Sequence, residues 1–129
     1  MTRVRYLLMT EILHMHREAI IRYGGRDGIL DQAIIEAALA RPRMSVGGCD
    51  AFPTLYLKAA SYLDSFTRNH AFVDGNKRIG YMSAGLFLTR NNISMKALTD
   101  EAESFVLDVI TSRPAVETIA GWIELHCTP

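Results

Sequence analysis

The spacing of apolar residues constrains the fold of this chain more than any other feature of its sequence. In one segment they recur at positions i, i+4, i+8 and i+11, which form a single face of an α-helix: Leu55, Ala59, Leu63 and Phe66. Similar periodicity extends through most of the chain. Strand-like patterns are weak and occur only at residues 93–95 and within residues 42–53. The sequence therefore predicts an all-α fold.

Glycine, proline and capping residues divide this pattern into about six helices. We expect them near residues 10–23, 32–41, 55–69, 76–90, 100–111 and from residue 112 onward. Asp31 and Thr54 are suitable N-caps for the second and third helices. Asp100 with Glu103 fits a capping pair at the start of the fifth.

The fourth predicted helix contains two glycines, Gly80 and Gly85. Each costs about 1 kcal/mol relative to alanine inside a helix, so we expect close packing against a neighbouring element. The apolar residues expected on the buried side of this helix are Ile79, Met82, Leu86 and Phe87.

Length, charge and cysteine content limit the classes of protein that this chain can belong to. Its 129 residues suit one domain, residues 1–129, with a core of its own. Fourteen basic residues balance fourteen acidic ones, which disfavours direct binding to nucleic acid or an anionic membrane. No run approaches the roughly 20 apolar residues of a membrane span, and no signal peptide is recognisable. Cys49 and Cys127 are isolated, which is typical of reducing compartments, so we expect a cytoplasmic protein.

Residues 70–78, with the sequence HAFVDGNKR, carry most of the recognisable chemistry of the chain. Lys77 and Arg78 fall in the first turn of the fourth predicted helix, where a cation opposes the helix dipole by about 0.3–1 kcal/mol. Free backbone N–H groups at a helix N-terminus already attract anions. Two added cations therefore indicate a bound anion, for which phosphate is the obvious candidate.

The other residues of this segment fit the same chemistry. His70 is a candidate general base, because imidazole accepts protons near neutral pH. Asp74 could hold Mg²⁺, which prefers one or two carboxylates together with phosphate oxygens. Gly75 leaves room for a ligand beside the backbone, and Asn76 could cap the helix or donate to a phosphate oxygen. Phe72 would pin the segment to the core.

Each of these residues also has a structural explanation when taken singly. A histidine at a helix end often serves as a dipole partner, an aspartate as a turn residue and an asparagine as a cap. These explanations do not account for all of them within nine residues, so the functional interpretation is favoured. Elsewhere, His14 and His16 are two residues apart on a helix and face different directions, which makes a poor metal pair.

The pattern HxFxDGNKR at residues 70–78 resembles the signature loop of the Fic superfamily, whose common form is HxFx[D/E]GNGRxxR. Lys77 stands where that form has glycine, and Tyr81 where it has a second arginine. Both departures match the death-on-curing (Doc) branch, the toxins of Phd/Doc-type toxin–antitoxin pairs. The resemblance extends over nearly all of the chain.

The resemblance implies a compact bundle of about six helices with the active loop at the N-terminus of a central helix. It implies ATP and Mg²⁺ as cofactors and transfer of the γ-phosphoryl group to a threonine of elongation factor Tu, which halts translation. It also implies a cognate Phd-like antitoxin as inhibitor. Fic proteins that inhibit themselves carry an [S/T]xxxE[G/N] helix, and the nearest segment here, residues 99–104, ends in serine.

The family's functional residues can be carried over to this sequence. His70 becomes the base and Asp74 the Mg²⁺ ligand. The nucleotide and phosphate contacts are the four residues that follow: Gly75, Asn76, Lys77 and Arg78. Arg68 is a further candidate for contact with phosphate or target, and residues 42–53 correspond to the flap that docks the target backbone.

Two alternatives stay open. Most Fic relatives transfer AMP to a protein hydroxyl, and a catalytically silent module could hold a partner through the anion site. The lysine at position 77 and the tyrosine at position 81 change the anion pocket that orients the nucleotide, which favours phosphoryl transfer. The intact His70, Asp74 and Asn76 argue against a silent module.

Overall fold

Six α-helices make up most of the computed structural model, which describes residues 3–96 and 99–128. They are α1 (Met9–Tyr23), α2 (Gln32–Ala40), α3 (Leu55–Arg68), α4 (Asn76–Arg90), α5 (Asp100–Ser112) and α6 (Val116–Leu125). A short 3₁₀ turn, Arg41–Arg43, extends α2. The predicted helical class is confirmed. No helix in the described residues has both the length and the apolar character needed to cross a membrane.

Two short antiparallel strand pairs supplement the helices. Strands β1 (Ser45–Val46) and β2 (Cys49–Asp50) form a hairpin between α2 and α3. Strand β3 (Ser94–Met95), after α4, pairs with β4 (Cys127–Thr128), after α6. The two segments in which the sequence shows weak strand patterns contain β1, β2 and β3, whereas β4 was not predicted.

Helix α3 occupies the centre of the bundle. Residues 58–67 are all buried, so every face of the helix is covered by other elements. Its closest neighbour is α4, and Gly80 lies at their contact. A Cβ atom at Gly80 would fall inside van der Waals contact with Thr67 Oγ1 and would lie 3.1 Å from the Leu63 carbonyl oxygen. The expectation of close packing at this glycine is therefore confirmed.

Two local predictions need correction. The side of α4 that is buried includes Ser83, Ala84 and Leu88, whereas Met82 and Leu86 are only half-buried. Small side chains are buried here because α3 approaches so closely. The N-cap of α5 is Thr99, whose hydroxyl accepts the Ala102 N–H at 3.3 Å, and not Asp100. The predicted caps Asp31 and Thr54 are confirmed by similar hydrogen bonds at 3.0 Å.

Candidate active site in the loop between α3 and α4

The loop between α3 and α4 is held by the segment that joins α1 to α2. Ile29 and Phe72 form an antiparallel β-bridge. The Leu30 N–H donates to the Ala71 carbonyl oxygen at 2.8 Å, and the Val73 N–H donates to Gly28 at 3.0 Å. The two backbone segments therefore run side by side at the site, with Ile29 and Leu30 largely exposed on the outer one.

This arrangement corrects the predicted position of the flap. The hairpin within residues 42–53 is anchored through Lys58, whose ammonium donates to the Pro42 carbonyl oxygen and contacts Asp50. Ten residues of α3 separate Lys58 from Arg68, or about 15 Å of helix. The segment that borders the active loop is residues 24–31. Sequence reasoning missed it because its glycines suggested only a helix end.

Asn76 closes the loop upon itself. Its side-chain oxygen accepts the Phe72 N–H at 3.1 Å, and its side-chain nitrogen donates to the Phe72 carbonyl oxygen at 2.9 Å. Asn76 is therefore not the helix cap. That position is taken by Gly75, whose φ of 83° lies in the left-handed region that favours glycine.

Phe72 is buried and stacks on His16, a residue that the sequence did not single out as functional. The two rings are parallel within 10°, with centroids 3.8 Å apart. His16 Nε2 lies 2.7 Å from the Asp74 carbonyl oxygen. Its position in α1 beside the buried Ile12 and Ala19 gave a signal: a histidine on the apolar face of a helix needs a buried hydrogen-bond partner.

The candidate base and metal ligand lie at opposite ends of the loop. His70 lies two residues after the end of α3 and is exposed, and no residue in the described ranges forms a hydrogen bond with its imidazole. Asp74 is half-buried, and its Oδ2 accepts the backbone N–H of Arg26 at 2.8 Å. One carboxylate oxygen of Asp74 therefore remains for another ligand.

The N-terminus of α4 opens onto a cleft of about 350 Å³. Gly75, Asn76, Lys77 and Arg78 line it on one side, and Glu103, Val106 and Leu107 of α5 on the other. The Arg78 guanidinium lies over the Tyr23 ring, 4.2 Å from its centroid, which restricts the orientation of this cation. The four predicted anion contacts are thus brought together at one helix end.

The donor set suits Mg²⁺ only in combination with phosphate. In residues 3–96 and 99–128 no three histidine, cysteine, aspartate or glutamate side chains cluster closely enough to hold a metal ion by themselves. Asp74 offers a single carboxylate one residue before the N-cap of α4, although it is not among the residues that line the cleft. Mg²⁺ commonly accepts one or two carboxylates, with phosphate oxygens and waters completing the octahedron. The residues present fit such a site.

Arg68 has structural partners. Its Nε lies 2.7 Å from Asp64 Oδ1, a contact of opposite charges that is poorly aligned for a hydrogen bond, and its terminal nitrogen donates to the Pro114 carbonyl oxygen at 2.7 Å. Arg41 binds the other oxygen of Asp64. These contacts connect α3 to the start of α6, and the predicted role of Arg68 in binding phosphate or target stays a prediction.

Tyr81 is buried, and its hydroxyl donates to the Lys96 carbonyl oxygen at 2.9 Å. Burial raises the pKa of this phenol above its ordinary value of 10.0. Tyr81 therefore packs in the core and ties α4 to the residue that follows β3.

Comparison with known proteins gives one family. Residues 6–88 match the model of the Fic/DOC family. The chain is 41% identical over 103 residues to Toxin Doc of Mycolicibacterium smegmatis, covering 78% of this chain and 79% of that protein. It is 35% identical over 92 residues to Protein kinase doc of Escherichia phage P1, covering 71% and 72%. The match contains the loop, its bordering segment and the first turn of α4, and the chain belongs to the Fic/DOC family.

Proposed function

We propose that this chain is a Doc-type toxin that transfers the γ-phosphoryl group of ATP to a threonine hydroxyl of elongation factor Tu. Both relatives support the general class, since one is named as a toxin and the other as a protein kinase. Phosphorylation of the factor would arrest translation. The observation that carries the proposal is the convergence of Gly75, Lys77 and Arg78 on the cleft at the N-terminus of α4.

That helix end is suited to hold a polyphosphate. The first backbone hydrogen bond of α4 joins the Ile79 N–H to the Gly75 carbonyl oxygen, so the N–H groups of the preceding residues have no intrahelical acceptor. Lys77 and Arg78 add positive charge to the same end. An anion there would satisfy the backbone donors and offset the unfavourable placement of two cations.

The remaining loop residues would supply orientation and proton transfer. His70, which is exposed at the other end of the loop from α4, would accept the proton of the attacking hydroxyl. Asp74 would hold Mg²⁺ against the phosphates, and the ion would neutralise charge on the transferred group. Arg78, restrained by Tyr23, would keep a fixed cation on the phosphates. Positioning and charge neutralisation are the main contributions in this chemistry.

Incubation of the protein with elongation factor Tu and ATP labelled separately at the α and γ positions tests this proposal. Label from the γ position alone on the factor is the expected result. Label from the α position would mean AMP transfer, and no label from either would mean a binding module. The Lys77→Gly variant is a useful comparison, because it restores the glycine of the common Fic pattern at an exposed position. It should raise any AMP transfer at the expense of phosphoryl transfer.

We further propose a separate antitoxin chain as the inhibitor, in agreement with the toxin name of the mycobacterial relative. Expression of the chain alone should arrest growth, and co-expression of a small gene next to its own should relieve the arrest. Expression of the His70→Ala variant is the matched control and should be harmless. Normal growth with active wild-type protein, in a cell that lacks the neighbouring gene, would contradict this part of the proposal.

A further inference from the structure

We infer that His16 is a positioning residue that orients the peptide between Asp74 and Gly75 for anion binding. This inference rests on the proposed function, which requires an anion to bind at the N-terminus of α4. His16 lies on α1, outside the loop, and its side chain is 3% exposed. A histidine this deeply buried requires a partner for its polar ring atoms.

The hydrogen bond from His16 has only one possible direction. Nε2 lies 2.7 Å from the Asp74 carbonyl oxygen, and a carbonyl oxygen can only accept. Nε2 therefore carries the proton. The other ring nitrogen, Nδ1, lies 4.0 Å from Asp27 Oδ1, which is beyond hydrogen-bonding distance. The ring face is held against Phe72, so neither rotation nor translation of the imidazole is free.

Fixing this carbonyl also fixes the next N–H group. The structure contains no cis peptide bonds in its described residues, and in a trans peptide the C=O and N–H vectors point in opposite directions. With the Asp74 oxygen directed at His16, the Gly75 N–H points away from α1. No acceptor in the described part of the chain binds that N–H. It is thus available to an anion at the N-terminus of α4.

The glycine at position 75 is explained by its backbone, whose φ of +83° strains any residue with a side chain. A Cβ atom there would make ordinary contacts with α1, 3.4 Å from His16 Nε2 and 3.5 Å from the Ile20 side chain. His16, Ile20 and Tyr23 follow one another at i, i+4 and i+7 on α1, which places them on one face. This face, which we call the α1 platform, contacts Asp74, Gly75 and Arg78 in turn.

Two substitutions separate the hydrogen bond from the packing of the ring. His16→Phe keeps an aromatic ring on Phe72 and removes the donor. His16→Gln removes the ring and keeps an N–H donor at about the reach of Nε2. His14→Phe is the matched control, because it introduces the same side chain at an exposed position of the same helix.

Binding should be measured by NMR titration with two probes, inorganic pyrophosphate without metal and MgATP, and the Gly75 amide signal should be followed. We expect His16→Phe to weaken the binding of both probes about tenfold, which is the effect of losing one orienting hydrogen bond. The affinity of His16→Gln for both probes should stay within about threefold of wild type, and the affinity of His14→Phe should equal that of wild type. Thermal unfolding of each variant shows whether the fold is retained.

The outcomes are distinct. Wild-type affinity in His16→Phe would overturn the inference, and so would equal weakening in His16→Phe and His16→Gln, because an N–H donor at this position would then fail to preserve binding. Failure of wild type to bind either probe would also overturn it. Binding of pyrophosphate that depends on the His16 donor, in a protein that transfers no phosphoryl group, would support the inference and refute the proposed function.

Discussion

Replacement of Gly80 by alanine tests the packing that places the active loop between its two helices. The added Cβ would collide with Thr67 Oγ1, and it would lie 3.1 Å from the Leu63 carbonyl oxygen and 3.3 Å from the Thr67 nitrogen. Two of these three atoms belong to the backbone of α3. They can move away only if α3 and α4 separate.

The expected magnitude follows from two opposing effects. Alanine in place of glycine stabilises a helix by about 1 kcal/mol, whereas overpacking a tight core costs about 1–3 kcal/mol. We expect Gly80→Ala to lower the free energy of unfolding by about 0–2 kcal/mol. Gly121, in α6, has nothing within 4 Å of a Cβ atom, so Gly121→Ala should raise it by about 0.5–1 kcal/mol. The difference between the two variants isolates the packing cost of about 1–3 kcal/mol.

Urea denaturation of the two variants and wild type gives this comparison directly, provided that the m-values agree. A double variant, Thr67→Ala with Gly80→Ala, removes the colliding hydroxyl, which has no hydrogen-bond partner among the described residues. It should recover part of the loss. Equal stabilisation by Gly80→Ala and Gly121→Ala would refute the close contact between α3 and α4.

Three further predictions concern the site and its support. His70→Ala should reduce the transfer rate about 10²–10⁴-fold without lowering the melting temperature, because the imidazole is exposed; wild-type turnover would exclude it as the base. Tyr23→Leu should weaken MgATP binding about two- to fivefold in calorimetry, since Arg78 loses a cation–π contact of about 0.5–1 kcal/mol; unchanged affinity would contradict this. The hydrogen bond from Arg90 lowers the pKa of Glu11 below its ordinary value of 4.5. The ion pair therefore stabilises the fold above that pH, and this contribution is lost as the pH falls through the folded-state pKa. Glu11→Gln should therefore be less stable than wild type at neutral pH, with the difference closing on acidification; a constant difference would exclude the linkage.

Local sequence signals were sufficient for most of the fold. The helices could be located from the helical periodicity and from the N-caps Asp31 and Thr54, because caps and apolar stripes act over only a few residues. The glycine at position 80 correctly indicated a close helix contact. The buried side of α4 was predicted less well, since apolar character favoured Met82 and Leu86 while the close approach of α3 selected small side chains.

The residues of the site also differ in whether local sequence could predict them. Residues 70–78 could be recognised because their chemistry is concentrated in one short string. His16 and residues 24–31 could not be linked to the loop, because only the fold brings them to it. His16, for example, is 58 residues from Asp74 in the chain. The sequence predicts the flap in the longest irregular segment, yet the backbone that pairs with Phe72 belongs to residues 24–31.

Asn76 has a consequence for how inactive variants are interpreted. Because its amide binds both the N–H and the carbonyl oxygen of Phe72, it acts as an additional peptide group inside the loop. Asn76→Ala would leave two buried backbone groups without partners, and Asn76→Asp would place a carboxylate oxygen against the Phe72 carbonyl. Either change would alter the shape of the loop before any nucleotide arrives. Loss of activity at this position would thus measure the geometry of the protein chain itself, and contact with the nucleotide is better probed at Lys77, whose side chain is exposed.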